Sequence, residues 1–329
     1  MKTLSYEQML EASAHFIRTH DDFVVVSHLN PDGDAISSTC AVGWLLSQLG
    51  KRYIMVNEDT IPDKFDYLPN VNALYRFDSE EFHRFDQGAI ISVDCADFSR
   101  IGEPSALFKK AIPFLNIDHH PTNDFFGDTH LIRTDAAATA EILFELIQHL
   151  GLTLDAPVSN ALYTGIMTDT GGFRYSNTTP NVMQMAATLI ASGAQGHILA
   201  EKLLESMTYS QLELLKRSLN NLHFRDDKRV AWMSVSLADI AATAAVNADL
   251  EGLVNYARNV EGVEVGLLFK QQADNAYKVS FRSAGLVDVA SIAKSFGGGG
   301  HKRAAGASLE GSLEEVQVKV LSAIARDLP

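Results

Sequence analysis

The sequence predicts an α/β protein of two domains. The first is a parallel sheet with helices on both faces. The second is a smaller α/β domain reached through a helical connector, with the active site expected in the interdomain cleft. Three observations carry this expectation. Short apolar, β-branched runs alternate with helical patterns in the first half of the chain, and they lack the alternating polarity of a sheet with one wet face. A length of 329 residues exceeds one ordinary domain, and 46% hydrophobic residues is ample for two cores. After Leu222 the pattern changes to a strand, a broken helix and a hairpin.

Taken in order, Leu4 to Arg18 has the spacing of an amphipathic helix, and Phe23 to Ser27 (FVVVS) is a fully apolar strand. A Pro-Asp-Gly-Asp loop leads to a helix from Ser37 to Leu49, ended by Gly50. Tyr53–Val56, Ala89–Val93 and Pro113–Ile117 read as further strands, and Leu131–Arg133 as a short one. Helices at Ala138–Leu150, Pro157–Met167 and Pro180–Ser192 complete the first domain. From His197 to Leu222 no Pro or Gly interrupts a helical pattern, which suggests a connector. Beyond it come a strand (Val230–Ser236), a helix broken near Asn247 (Ala238–Arg258) and a hairpin (Val263–Lys270 with Tyr277–Arg282). Two last helices follow, Val287–Phe296 and Ser312–Arg326. The expected division is a catalytic domain at 1–195, a connector at 196–222 and a substrate-binding domain at 223–329.

Bulk properties narrow the function. A net charge of -14 argues against long duplexes, whose affinity comes from neutralising many phosphates. It leaves room for a small anion in a local basic pocket. The two cysteines, Cys40 and Cys95, have no CxxC spacing and suit a reducing compartment. The N-terminus lacks a signal-type apolar core, and no run is long and apolar enough to span a membrane. A cytoplasmic location without membrane contact is therefore expected. Oligomeric state stays open, a homodimer included.

The chemistry lies in four acidic clusters, each after a strand or apolar helix. They are His28-x3-Asp32-x-Asp34, Asp94, Asp118-His119-His120, and Asp169 in Thr-Asp-Thr-Gly-Gly. Open parallel sheets place ligands at the carboxyl ends of their strands, where His28, Asp94 and Asp118 fall. Carboxylates with a minority of imidazoles suit Mn²⁺ or Mg²⁺ better than structural Zn²⁺. Two His and four Asp make a cage for two divalent ions, one Asp bridging them. Such sites hydrolyse phosphate esters, here by attack of a hydroxide held between the ions. In the second half, Gly297–Gly300 followed by His301, Lys302 and Arg303 gives backbone amides and positive charge for an anion. Arg282 can grip phosphate in a bidentate way.

These segments resemble the DHH phosphoesterase family, named for the triad that stands here as Asp118-His119-His120. The motifs are SHLNPDGDAISS (27–38), VDCAD (93–97), NIDHHPTND (116–124) and GIMTDTGGF (165–173). FRS (281–283) and GGGGHKRAAG (297–306) resemble the DHH-associated C-terminal domain. Within the family the chain is similar to the nanoRNase and pAp phosphatase branch. That resemblance implies hydrolysis of short oligoribonucleotides to mononucleotides and of 3′-phosphoadenosine 5′-phosphate (pAp) to AMP.

Carried over residue by residue, it implies His28 and Asp32 on one metal, Asp34, His119 and Asp169 on the other, and Asp94 as the bridge. The metal is Mn²⁺ by preference, with Mg²⁺ as the alternative. Asp118 orients the His pair, and His120 assists the leaving oxygen or holds the scissile phosphate. Substrate contacts are implied for Arg282, Ser283, Gly298, Gly299, Gly300, His301 and Arg303, with Arg100 also within reach. Which of Lys302 and Arg303 faces the ligand stays open. Ser37 stands where the family often has Gly. The rival readings are a manganese inorganic pyrophosphatase, a linear-dinucleotide phosphodiesterase and a non-enzymatic nucleotide-binding regulator.

Overall fold

Phe23–Val26 form the first strand (β1) of a sheet buried on both faces, as their unbroken apolar character demands. The computed structural model describes residues 4–328 and divides into two units, Met1–Ser206 and Met207–Pro329. In the N-terminal unit β1 is joined by β2 (Tyr53–Asn57), β3 (Leu74–Arg76), β4 (Ala89–Val93), β5 (Phe114–Asp118) and β6 (Thr129–Ile132). All pairings are parallel, in the order β3-β2-β1-β4-β5-β6. The chain winds outward through β2 and β3 in one direction and through β5 and β6 in the other. The reversal between β1 and β4 is the position at which such sheets open a crevice for ligands.

Among the described residues this unit has seven α-helices: α1 (Tyr6–Thr19), α2 (Gly33–Gln48), α3 (Glu80–Arg84), α4 (Thr139–His149), α5 (Ala156–Asp169), α6 (Pro180–Ala191) and α7 (Gly196–Ala200). Val25, Ile91 and Leu115 face one side of the sheet and share a core with α1, α2, α4, α5 and α6. Val24, Ile90 and Phe114 face the other, under Phe82 of α3 and Ile101. Both faces are covered, but unequally. The chain between β4 and β5 holds only short 3₁₀ turns, Phe98–Ile101 and Glu103–Leu107, so one small helix and loops close that side.

Two expected boundaries moved for identifiable reasons. The helix expected from Ser37 begins at Gly33, because the Asp32 carboxylate accepts from the amides of Asp34 and Ala35 and caps it. The uninterrupted helix expected from His197 to Leu222 is three pieces: α7, a π turn (Glu201–Glu205), and α8 (Tyr209–Asn220). The Ser206 amide turns back to the Glu201 carbonyl, and Thr208 starts a new helix by accepting from the Gln211 amide. The division between the units falls in this break.

The C-terminal unit contains β7 (His223–Phe224), β8 (Val230–Val235), β9 (Val265–Ala273), β10 (Ala276–Ser283), β11 (Gly299–His301) and β12 (Ala304–Glu310). Their order is β11-β12-β10-β9-β8-β7, and only β8 and β9 pair in parallel. The helices are α8, α9 (Leu237–Thr243), α10 (Leu253–Arg258), α11 (Val289–Ser295) and α12 (Leu313–Asp327). Ala231, Met233 and Leu268 pack with α8 and α10, while Val265, Leu267, Phe269 and Phe281 pack with α11 and α12. Among the described residues, no helix is long and apolar enough to cross a membrane.

Candidate metal centre

Three strand ends and two helix ends of the N-terminal unit deliver the acidic clusters to one place. His28 lies just beyond β1 and Asp94 just beyond β4, while Asp118 ends β5 and is followed by His119 and His120. Asp32 and Asp34 open α2, and Asp169 ends α5. Ligand atoms of His28, Asp32 and Asp94 lie within 4.8 Å of one another. The same holds for Asp34, His119 and Asp169, and for Asp94, His119 and His120. Asp94 is common to two groups: its Oδ2 is 3.5 Å from His28 Nε2 and its Oδ1 is 3.5 Å from His119 Nε2.

Local structure explains the convergence. Asp94 sits at φ 58°, a left-handed conformation uncommon for a residue other than glycine. Its amide bonds the Ile117 carbonyl at 3.0 Å, which fixes the turn out of the sheet. Helices α2 and α5 cross closely because Gly165 has no side chain. A Cβ there would collide with Asp34 Oδ1 and lie 2.6 Å from Ala140 Cβ and 2.8 Å from Ser37 Oγ. Ser37 itself fits, donating to the Asp34 carbonyl at 3.2 Å.

The residues fit a divalent cation. His28 donates Nδ1–H to the Leu29 carbonyl at 2.8 Å, and His119 Nδ1 lies 3.3 Å from the Ala136 carbonyl. Both rings therefore turn Nε2 toward the carboxylates, the orientation that a backbone acceptor imposes on metal-binding histidines. Asp32 caps α2 through Oδ1 alone, which leaves Oδ2 for a second partner. A mixed set of carboxylates and imidazoles suits Mn²⁺ or Mg²⁺.

The electrostatics agree with a site built around positive charge. Burial, then the charges of Asp94 and Asp32, push the Asp34 carboxyl well above its ordinary range, against hydrogen bonds from the Thr139 and Ala140 amides. Burial and the neighbouring aspartates do the same to Asp169. Burial also acts upward on Asp94, but the His28 hydrogen bond and the charges of His120 and His119 outweigh it and hold the carboxyl low. Burial pulls His120 down, yet its hydrogen bond to Asp118 and the Asp94 charge raise it to about 9. Cys95 is fully buried, and burial followed by the Asp94 charge pushes its thiol well up, so it is no nucleophile here.

Asp118 holds the His120 ring. Its Oδ1 accepts from His120 Nδ1 at 2.7 Å and its Oδ2 from Asn123 at 2.6 Å, while His119 uses Ala136. Two supporting residues had no individual signal in the sequence. Asn123 ties Asp118 to the Cys95 carbonyl. Thr139 touches both ligand groups, since its amide donates to Asp34 Oδ2 at 2.6 Å and its hydroxyl to Asp94 Oδ1 at 2.9 Å. The N-terminus of α4 has no side-chain cap of its own, and Asp34 takes that place. Partly buried ion pairs from Arg133 to Glu141 (2.5 Å) and Glu145 (2.6 Å) hold the loop before α4, whose Ala137 amide also donates to Glu141.

Arg100 is close enough for its charge to act on both His28 and His120. Phe98 packs in an aromatic cluster with Phe108, Phe114 and Phe126 but stays 43% exposed. Phe173 packs on Tyr163 at the core, and Arg174 donates to the Gly171 carbonyl.

The substrate candidates of the C-terminal unit gather at one end of its sheet. Arg282 and Ser283 end β10, and Arg282 pairs with Ala304 of β12. The glycine run is partly a strand: Gly299, Gly300 and His301 pair with Gly306, Ala305 and Ala304, so it is less loop-like than expected. Gly298 precedes that strand. Ser283 is buried and donates its hydroxyl to Glu264 at 2.9 Å. Lys302 and Arg303 are both exposed, and the Arg303 guanidinium lies over Gly285.

Comparison with known proteins agrees with this layout. Residues 22–166 match the family model "DHH family, N-terminal domain" and residues 236–327 match "DHHA1 domain". The chain is 34% identical over 308 residues to a Thermus thermophilus protein named bifunctional oligoribonuclease and PAP phosphatase NrnA, covering 92% of this chain and 89% of that one. A Bacillus subtilis protein of the same name is 26% identical, with 89% and 91% covered. In fold, the chain superposes on an exopolyphosphatase-related protein from Bacteroides fragilis with a TM-score of 0.89, at 24% identity and with 99% and 98% of the chains covered.

Proposed function

This chain belongs to the DHH family of phosphoesterases, and we propose that it hydrolyses short oligoribonucleotides to mononucleotides and pAp to AMP. The family is metal-dependent. The observation that carries the reading is the sharing of Asp94 between a His28 group and a His119 group, which suits two adjacent cations bridged by one carboxylate. Mn²⁺ is the preferred ion, because two imidazoles take part. His28 and Asp32 would hold one ion and Asp34, His119 and Asp169 the other.

When bound, the ions supply charge to offset the phosphate and lower the pKa of the attacking water. The chain's own residues do the rest. Asp118 and Asn123 fix the His120 ring through Nδ1, which suits His120 as the residue that protonates the leaving oxygen. Thr139 holds Asp94 and Asp34 in register. Arg100 adds a positive charge beside the centre. In the C-terminal unit, Arg282, Arg303, His301 and the Gly298–Gly300 backbone would recognise a second phosphate or terminal nucleotide, with Ser283 shaping that loop. A preference for short substrates fits the net charge of -14, which disfavours long polyanions.

A substrate panel with Mn²⁺ tests this: pAp, a dinucleotide, a pentanucleotide, a long single strand and pyrophosphate, each with a chelator control. Chelator-sensitive turnover of pAp and the short RNAs is expected. Turnover of pyrophosphate alone would replace this reading with the pyrophosphatase one. A long strand degraded as efficiently as the dinucleotide would remove the length preference.

A further inference from the structure

Glu264 is a buried carboxylate outside the candidate metal centre. Glu264 precedes β9, is 6% exposed, and receives four hydrogen bonds on a single oxygen. Its Oε1 accepts from the Ser283 hydroxyl at 2.9 Å and from the amides of Gly285 (3.1 Å), Leu286 (2.8 Å) and Val287 (3.0 Å). Its backbone carbonyl accepts from the Ala284 amide at 2.8 Å. A buried carboxylate is costly unless fully hydrogen-bonded, and these donors hold it in its charged form below its ordinary pKa despite burial. One residue thus fixes every backbone position of the 284–287 turn.

That turn is the platform for Arg303. The Ser283 amide donates to the Arg303 carbonyl at 2.9 Å, which ties the strand end to it. The Arg303 guanidinium then lies across Gly285, where an added Cβ would sit 2.8 Å from Nη2. Gly285 has φ 136°, so a side chain there is doubly excluded. Lys302 has a different backbone anchor, its carbonyl accepting from the Val289 amide. The built support therefore lies under Arg303 and answers which of the two cations is aimed.

We infer that Glu264 is a positioning residue for substrate recognition: by clamping the 284–287 turn it sets where the exposed Arg303 guanidinium meets a non-scissile phosphate. The inference rests on the proposed phosphoesterase activity and deepens it, naming the cation that reads the substrate and the buried residue that aims it. Glu264 itself touches no substrate.

The test is a double-mutant cycle on full-length, Mn²⁺-loaded protein, with kcat and KM measured for pAp. Glu264→Gln keeps an acceptor and the buried volume, and Glu264→Leu removes the acceptor. Arg303→Ala removes the cation, and Gly285→Ala disturbs the turn on which the cation rests, including the Gly285 amide bonded to Glu264. Glu264→Leu, Arg303→Ala and Gly285→Ala should each raise KM roughly tenfold or more while kcat and bound Mn²⁺ stay near wild type, with Glu264→Gln in between. Glu264→Leu combined with Arg303→Ala should be no worse than Arg303→Ala alone, because one acts through the other. A wild-type KM in Glu264→Leu, or additive losses in the double variant, overturns the inference. If Glu264→Leu fails to fold, Glu264→Gln and Gly285→Ala decide it by the same KM criterion. Absence of pAp turnover in the wild type is a different failure, that of the proposed function.

Discussion

In the N-terminal unit most of the candidate machinery is buried: Asp34, Asp94, Asp118, His28 and His119 are each less than a tenth exposed and held by hydrogen bonds from the fold, while Asp32 is exposed and Asp169 partly so. In the C-terminal unit the candidate groups are the reverse. His301, Lys302 and Arg303 are exposed, and the buried carboxylate of Glu264 holds the turn backbone and the Ser283 hydroxyl. The difference follows from what each region is proposed to bind. Small dications repay the cost of collecting carboxylates in a low-dielectric crevice, because the ion cancels their mutual repulsion. A substrate phosphate arrives with its own water and must leave again, so an exposed guanidinium on a rigid backbone is enough. Damage to the first region should be severe and tied to metal, and damage to the second mild and tied to KM.

The largest expected effect is at Asp94. Asp94→Ala removes the residue shared by two ligand groups, and turnover should fall by about 10⁴-fold or more with loss of bound Mn²⁺. Metal analysis of the purified variant checks this directly. Retention of two equivalents of Mn²⁺ would end the bridging assignment and blur the contrast between the units.

His120 sharpens the same contrast from within the centre. It is held by Asp118 and lies outside the two groups expected to bind the ions. His120→Ala should lower kcat by about 10²–10⁴-fold, the usual worth of a positioned acid, while Mn²⁺ stoichiometry is kept. Loss of metal in this variant would move His120 among the ligands, in keeping with its proximity to Asp94 and His119.

How much of this was legible depends on which atoms do the work. Strands such as Phe23–Val26 and Ala89–Val93 announce themselves through unbroken apolar runs, and the aspartates after them through chemistry that a core cannot otherwise use. Leu74–Arg76 is too short to show periodicity, and Ala304–Glu310 is built from small residues with little strand preference, so both strands went unseen. The same limit hid Thr139, Asn123 and Glu264. Each acts through a hydrogen bond to a residue distant in sequence or to backbone, and a threonine opening a helix or a glutamate before a strand is ordinary in sequence. The break at Ser206–Thr208 was missed because helix propensity is high on both sides and only the Thr208 cap marks the restart.

Thr139 offers a smaller, graded test. Thr139→Val keeps the shape and the amide bond to Asp34 but deletes the hydroxyl on Asp94. Mn²⁺ affinity measured by titration calorimetry should weaken by about 10–100-fold, as for other residues that brace metal ligands, with Thr139→Ser restoring most of it. Wild-type affinity in Thr139→Val would mean that the Asp94 turn at φ 58° is rigid enough through its backbone alone.

The smallest effect is expected at Arg282. This side chain is half-buried at the end of β10, and its Nη1 already donates to the Phe281 carbonyl at 3.0 Å. That bond holds part of the guanidinium against the strand. Its contribution should be equal in ground and transition states, because it lies in the unit without the metal ligands. Arg282→Ala is therefore expected to raise KM for pAp by about three- to tenfold with kcat unchanged. A fall in kcat matching that of His120→Ala would show that this unit takes part in the chemical step, and the contrast between a buried catalytic region and an exposed recognition region would no longer hold.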